Sequence, residues 1–230
     1  MNKLCTICMR EGSRGLKNKN HKLLLGKPLL YYTIKQAQNS KLFDKIVVST
    51  DSAKIFNLSK KYGADVWFKR PKKLSSSKSA KLDVVKHALR ESERKFNKSF
   101  DIICDLDVTS PLRNIKDIKN SYLKFKNDNA NNLFTVNLAR KNPYFNQIEL
   151  RNEKVNIVKK INKLPVRRQD APIVYDVNAS IYFWKRKVLI NNKSIFSSKT
   201  SIYVMPYSRS IDIDDYTDWK LVEYFMGKKR

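Results

Sequence analysis

The chain has 230 residues, 41% hydrophobic and 11% aromatic, which suits one α/β domain, alone or with a small appendage. Its 48 lysines and arginines against 21 acidic residues give a formal charge of +27, favouring polyanionic ligands. No stretch approaches the roughly 18 consecutive apolar residues of a membrane helix. Three cysteines cannot form a disulfide framework. The short apolar N-terminal run ends in charge without a small-residue cleavage site, so a cytoplasmic protein is expected.

In chain order, KLCTICM (3–9) is a strand candidate. Cys5 and Cys8 spell C-x-x-C, but in a strand they point to opposite faces. Only Cys104, His21 and His87 could join them, so buried small side chains are expected rather than a metal or redox pair. REGSRGLKNKN (10–20) follows, with Arg10, Arg14, Lys17 and Lys19 around Gly12, Ser13 and Gly15. It fits neither standard phosphate fingerprint. A solvated turn, a nucleic-acid contact and a polyphosphate cradle all remain open at this point.

A helix is expected over 28–40, with Pro28 in its first turn. KIVVST (45–50) reads as a strand, capped by Asp51-Ser52 before a helix to about residue 62. ADVWF (64–68) reads as a short strand, 81–96 as a helix, 100–108 as a strand, 114–126 as a helix and 132–138 as a strand. This alternation predicts βαβ units and a mostly parallel sheet. Ligands of such sheets sit at the carboxyl ends of strands, which selects 10–20, 50–51, 69–71 and 105–113. Residues 139–177 lack clean helices and read as an excursion from the sheet. Strands at 179–186 and 201–206 and a helix over 215–226 complete one domain, 1–230.

Two further clusters could carry chemistry. Asp105 and Asp107 share a face at a strand end, with Thr109, Ser110 and Arg113 beyond them; capping in a loop is the plain alternative. Asp212 and Asp214 lie two apart on an extended segment, and two hard oxygen ligands so spaced suit Mg²⁺. Asp215 and Asp218 read as the cap and first turn of the last helix. A basic loop facing an Asp pair describes a nucleotide-triphosphate site, where catalysis is positioning and charge neutralisation. No general base is evident: His21 and His87 are poor candidates, His87 lying mid-helix.

Arg10-x-Gly12-Ser13-Arg14-Gly15 with Lys19-Asn20 resembles R-x-x-S-K-G-x-x-x-K-N, the phosphate loop of the CMP-sialic acid synthetases (acylneuraminate cytidylyltransferases). Arg70-Pro71, Thr109-Ser110-Pro111-Leu112-Arg113, Arg168-Gln169-x-x-Pro172 with Asn178-Ala179-Ser180-Ile181-Tyr182, and Ile211-Asp212-Ile213-Asp214 are similar to further motifs of that family, in the same order. The resemblance spans essentially the whole chain and implies a Rossmann-like three-layer nucleotidyltransferase fold. It implies attack of a nonulosonic acid's anomeric hydroxyl on the α-phosphate of CTP, with Mg²⁺ as cofactor and Mn²⁺ as a possible substitute. Arg10, Gly12, Ser13, Arg14 and Lys19 would hold the triphosphate, with Arg10, Arg14 and Lys19 catalytic. Asn20, Arg70, Asp107 and Thr109 would complete the CTP site; Arg168, Gln169 and Asn178 would face the sugar; Asp212 and Asp214 would bind metal. A homodimer joined through 139–177 is implied, with no membrane and no specific nucleic acid as partner. The chain departs from the family at Asp107-Val108, where Q-P is common, at Asp176, where many members have Arg, and at 142–146. These sugar-side changes make it most similar to the legionaminic-acid branch.

Overall fold

In the computed structural model, which describes residues 1–12 and 15–228, the short apolar run KLCTIC becomes β1 (Lys3–Cys8), buried on both faces between the strands Lys45–Ser49 and Ile102–Leu106. Leu4 and Cys8 pack into one hydrophobic cluster, Cys5 and Ile7 into another on the opposite face. The expected divergence of the two cysteines therefore holds. Cys5 lies directly beside Cys104 on the neighbouring strand.

A short hairpin, β2 (Leu23–Leu24) and β3 (Lys27–Pro28), leads into α1 (Leu29–Ser40), followed by β4 (Lys45–Ser49) and α2 (Ala53–Lys61). Then come α3 (Lys81–Phe96), β5 (Ile102–Leu106), α4 (Ile115–Asn127) and β6 (Asn132–Leu138). The hairpin β7 (Ile148–Arg151) and β8 (Lys154–Ile157) precedes β9 (Tyr175–Lys185), α5 (Arg186–Asn191), β10 (Thr200–Val204) and α6 (Tyr216–Gly227). The main sheet runs β10-β6-β9-β5-β1-β4. Every pairing is parallel except those of β9, which is antiparallel to β5 and β6. Because β6 leads out past the carboxyl edge before β9 returns, β9 re-enters the sheet in the opposite sense.

The apolar faces of α1, α2, α4 and α6 bury Ile34, Ile55, Ile118 and Val222 on one side of the sheet. Those of α3 and α5 bury Val85 and Leu189 against Phe134 and Trp184 on the other. This is the expected three-layer α/β arrangement.

The element expectations hold within a few residues, with four differences. ADVWF is not a strand: only Asp65 bridges to Val47. Trp67 and Phe68 turn away to meet Phe96 and His87 edge-on, so aromatic packing on α3 ends the ladder. The β2–β3 hairpin and α5 carried no signal long enough to be recognised. β9 begins at Tyr175 rather than 179, its register broken between Phe134 and Val136, with Ala179 at φ 47°. Residues 139–174 lie outside the main sheet, while 175–177, expected in the excursion, pair with β6; the hairpin turns through Asn152 and Glu153, at φ 49° and 60°, the left-handed pair of a tight hairpin turn.

Candidate active site

The carboxyl ends of β1, β4 and β5 meet in one crevice. Arg70 is 5% exposed; its backbone N–H donates to the Thr50 carbonyl at 2.9 Å and its guanidinium donates to the Met9 carbonyl. Asp51 lies 3.9 Å from that guanidinium and accepts from the Glu11 backbone N–H at 3.0 Å. Burial lowers the Arg70 pKa, with Asp51 opposing. Arg70 thus ties the start of the basic loop to the neighbouring strand. Further along, the Asn20 amide donates to the Arg10 carbonyl at 2.9 Å.

The loop's far side meets the segment before α6. Lys19 is buried, donates to the Ile213 carbonyl, and stands 3.7 Å from an Asp214 carboxylate oxygen. Gly15 abuts Asp214 so closely that a Cβ there would fall 2.0 Å from its carbonyl oxygen. The Ile213 N–H donates to the Thr109 carbonyl at 2.9 Å, pinning the acidic segment to the end of β5. Ile211 and Ile213 point inward, so Asp212 and Asp214 project outward together, as the strand period requires. Asp214 is largely exposed. Asp212 is half-buried, with Oδ1 lacking a hydrogen-bond partner. Burial, and next the charge of Asp107, push its pKa up to about 6. Asp215 caps α6 in a capping box with Asp218, as the sequence indicates. Ser13 and Arg14 lie outside the described residues.

Lys81, at the start of α3, was not among the sequence candidates. Its ammonium donates to Asp105 at 2.9 Å and to Asp107 at 2.6 Å. The buried Asp105 also accepts from Thr6 Oγ1 at 2.7 Å, and Asp107 accepts from Thr109 Oγ1 at 3.3 Å. The alternation of Asp105 and Asp107 was legible; that a lysine at a helix start would satisfy both was not. The run Ser75–Ser79 just before it was the available signal, because such a loop can bring a helix start over a strand end. Cys8, Arg10, Arg70, Ser76, Lys81 and Asp107 are among the residues around a cleft of about 190 Å³.

Arg113 does not join the cleft as a surface cation. It is 2% exposed and donates to Gln36 Oε1, the Ser180 carbonyl and Thr33 Oγ1 at 3.0, 2.8 and 2.7 Å. Burial pulls its pKa down to about 10. Its fork joins α1 to β9, and from the Thr-Ser-Pro-Leu-Arg stretch Thr109 is the residue turned toward the acidic cluster.

The sugar-side candidates divide. Asn178 is buried, accepting from Thr135 Oγ1 at 2.7 Å and donating to Ser210 Oγ at 2.9 Å. It braces the segment leading to Asp212. Arg168 and Gln169 instead line a separate pocket of about 410 Å³ with Leu138, Asn142 and Pro172, and Arg168 donates to the Ala139 carbonyl at 2.7 Å. Asp176 accepts from Asn137 at 3.4 Å.

The crevice therefore opposes cations (Arg10, Lys19, Arg70) to carboxylates (Asp107, Asp212, Asp214), an arrangement able to bind a polyphosphate. Among the described residues no group of three or more His, Cys, Asp or Glu side chains converges as a self-sufficient metal cage, and no helix is long and apolar enough to cross a membrane.

Residues 4–224 match the cytidylyltransferase family. The chain is 46% identical over 226 residues to the CMP-N,N'-diacetyllegionaminic acid synthase of Campylobacter jejuni subsp. jejuni serotype O:2, covering 98% of this chain and 95% of that one. It is 44% identical, with the same coverage, to the post-translational flagellin modification protein B of Campylobacter coli. In fold it is similar to a CMP:2-keto-3-deoxy-manno-octonic acid synthetase complexed with CTP, with a TM-score of 0.74, 15% identity and full coverage of both chains.

Proposed function

The chain belongs to the cytidylyltransferase family, and from that premise we infer that it transfers CMP from CTP to the anomeric hydroxyl of a nonulosonic acid, N,N'-diacetyllegionaminic acid, releasing pyrophosphate. The observation that carries the reaction is the closure of the basic loop onto the Asp212–Asp214 segment, through Lys19 on Ile213 and Gly15 on Asp214. The 46% relative over nearly the whole length supports the sugar.

In this reading Arg10, Arg14 and Lys19, with Gly12 and Ser13, hold the triphosphate, while Asn20 and Arg70 keep the loop in register with β1. The hydroxyl oxygen bonds to the α-phosphorus as the bond to pyrophosphate breaks. Arg and Lys donors fixed beforehand stabilise the charge that develops there. Asp212 and Asp214 hold Mg²⁺, for which Mn²⁺ can substitute. The buried, partnerless Oδ1 of Asp212 fits such an ion, and two carboxylates without a third suit a cation that keeps waters and shares substrate phosphates. When bound, the ion neutralises phosphate charge. Asn178 and Ser210 set the height of this segment, and Arg168 and Gln169 recognise the sugar from their own pocket. Asp107 and Thr109 complete the nucleotide side.

Ile148, Leu150, Val155 and Val166 are exposed on the excursion. Apolar exposure of this extent marks a protein contact, and the proposed working form is a cytoplasmic homodimer joined there.

The test is pyrophosphate release from CTP with N,N'-diacetyllegionaminic, N-acetylneuraminic and pseudaminic acids, with and without chelator. Release should be greatest with the first and abolished by chelation. No release with any of the three overturns the assignment.

A further inference from the structure

Among the described residues, the cleft beside the basic loop holds one carboxylate, Asp107, among cations, hydroxyls and small apolar groups. Arg10, Arg70 and the serines of 76–79 suit phosphate and ribose oxygens. A carboxylate does not: facing a polyphosphate it repels, and apart from a bound cation the ligand attracts it only through a hydrogen-bond donor. Asp107 is also held rigidly. Oδ2 accepts from Lys81 at 2.6 Å and Oδ1 from Thr109 at 3.3 Å. Lys81 is in turn fixed by Asp105 at 2.9 Å and sits 4.5 Å above the Tyr182 ring, which stacks on Trp184.

An ammonium has three donors. Two of Lys81's are taken by the two aspartates, leaving one. Asp107 keeps unused lone pairs, and both side chains remain partly open to the cleft. A fixed acceptor beside a fixed donor is the complement of one edge of a pyrimidine. Cytosine offers its exocyclic amine as donor, which a carboxylate accepts, next to a ring nitrogen and carbonyl that accept. Uracil presents a carbonyl where cytosine has the amine, setting acceptor against acceptor.

We propose that Lys81 and Asp107 together read the base of the nucleotide, Asp107 accepting from the cytosine amine and Lys81 donating to the adjacent ring nitrogen or carbonyl. The proposal rests on the cytidylyltransferase reading and adds to it the residues that choose CTP over UTP.

The test is calorimetric titration of CTP and UTP, with Mg²⁺ and no sugar so that nothing turns over, into the wild type, Asp107→Ala, Asp107→Asn and Lys81→Met. Circular dichroism checks that each variant is folded. The wild type should bind CTP more tightly than UTP, and each variant should narrow that ratio by about tenfold or more, because a hydrogen-bonding site discriminates through the partner it leaves unpaired. Asp107→Asn should gain UTP affinity, its amide being able to donate to the uracil carbonyl. Equal binding of CTP and UTP by the wild type overturns the proposal. So does an unchanged ratio in the folded variants, even if both affinities fall, since that is the signature of a structural brace. Pyrophosphate release by the wild type with the sugar is measured separately. Its absence defeats the proposed reaction, while a ratio narrowed by the variants upholds the base reading independently.

Discussion

The carbonyl oxygen of Asp214 occupies the space that a methyl group on Gly15 would need, 2.0 Å from where that carbon would sit. Since the obstacle is backbone rather than a flexible side chain, Gly15→Ala must push the basic loop and the acidic segment apart. Misplacement of about 1 Å costs on the order of a hundredfold in a positioned reaction. The expected result is a fall of that size in kcat/KM for CTP, with the melting temperature lowered far less than a core substitution would lower it.

Asp212 opposes stability to function. Burial and the charge of Asp107 raise its pKa to about 6, so in the metal-free protein at pH 8 the ionised carboxylate costs the folded state free energy. Asp212→Asn removes that cost and should stabilise the apoprotein by about 1–2 kcal/mol. The same change should reduce turnover by roughly a thousandfold. Denaturant unfolding and pyrophosphate release measure the two sides. A variant no more stable than the wild type would mean that water or a rotamer change already relieves the carboxylate.

Arg209 forks both carboxylate oxygens of Asp117, each at 2.9 Å, and Asp117 is fully buried at the start of α4. Arg209→Met leaves that carboxylate with only its capping partner, the Asn114 N–H. A loss of about 3 kcal/mol is expected, read as a lower urea midpoint at constant slope. Asp117→Asn together with Arg209→Met should recover part of it, because the uncompensated charge is then gone.

Glu93 supplies a pH dependence. Burial raises its pKa, but the paired hydrogen bonds of Arg186 at 2.6 and 2.8 Å and the Phe100 N–H outweigh this and bring it below the ordinary 4.5. A depressed carboxyl pKa adds stability that is present above the unfolded value and lost as pH falls through the folded one. The wild type should therefore melt higher than Glu93→Gln at pH 7. The gap should close on acidification below 4.5. A gap independent of pH would assign the difference to packing.

Much of the architecture was legible in the one-dimensional pattern because it is local. Short apolar runs such as KLCTIC and NLFTVNL, and helical spacing in 81–96, select strand or helix by which side chains can be buried together. Alternation of the two then forces a largely parallel sheet with its ligand edge at the carboxyl ends. The basic loop and Thr109 fall on that edge for this reason, whereas Arg70 and Asp212–Asp214 are held there by bonds to Thr50 and Thr109.

What the tertiary structure alone decided depends on pairs far apart in sequence. Lys81 and Asp107 meet because α3 starts over the end of β5. Arg113 reads as a strand-end cation, yet it turns inward because Gln36, Thr33 and Ser180 offer it three acceptors. Trp67 and Phe68 abandon the sheet for Phe96 and His87 on α3. Periodicity determines that a residue leaves the apolar face of its element. Whether it then meets solvent, a buried acceptor or the cleft is set by the element packed opposite, through the cost of leaving a charge unpaired once water is excluded.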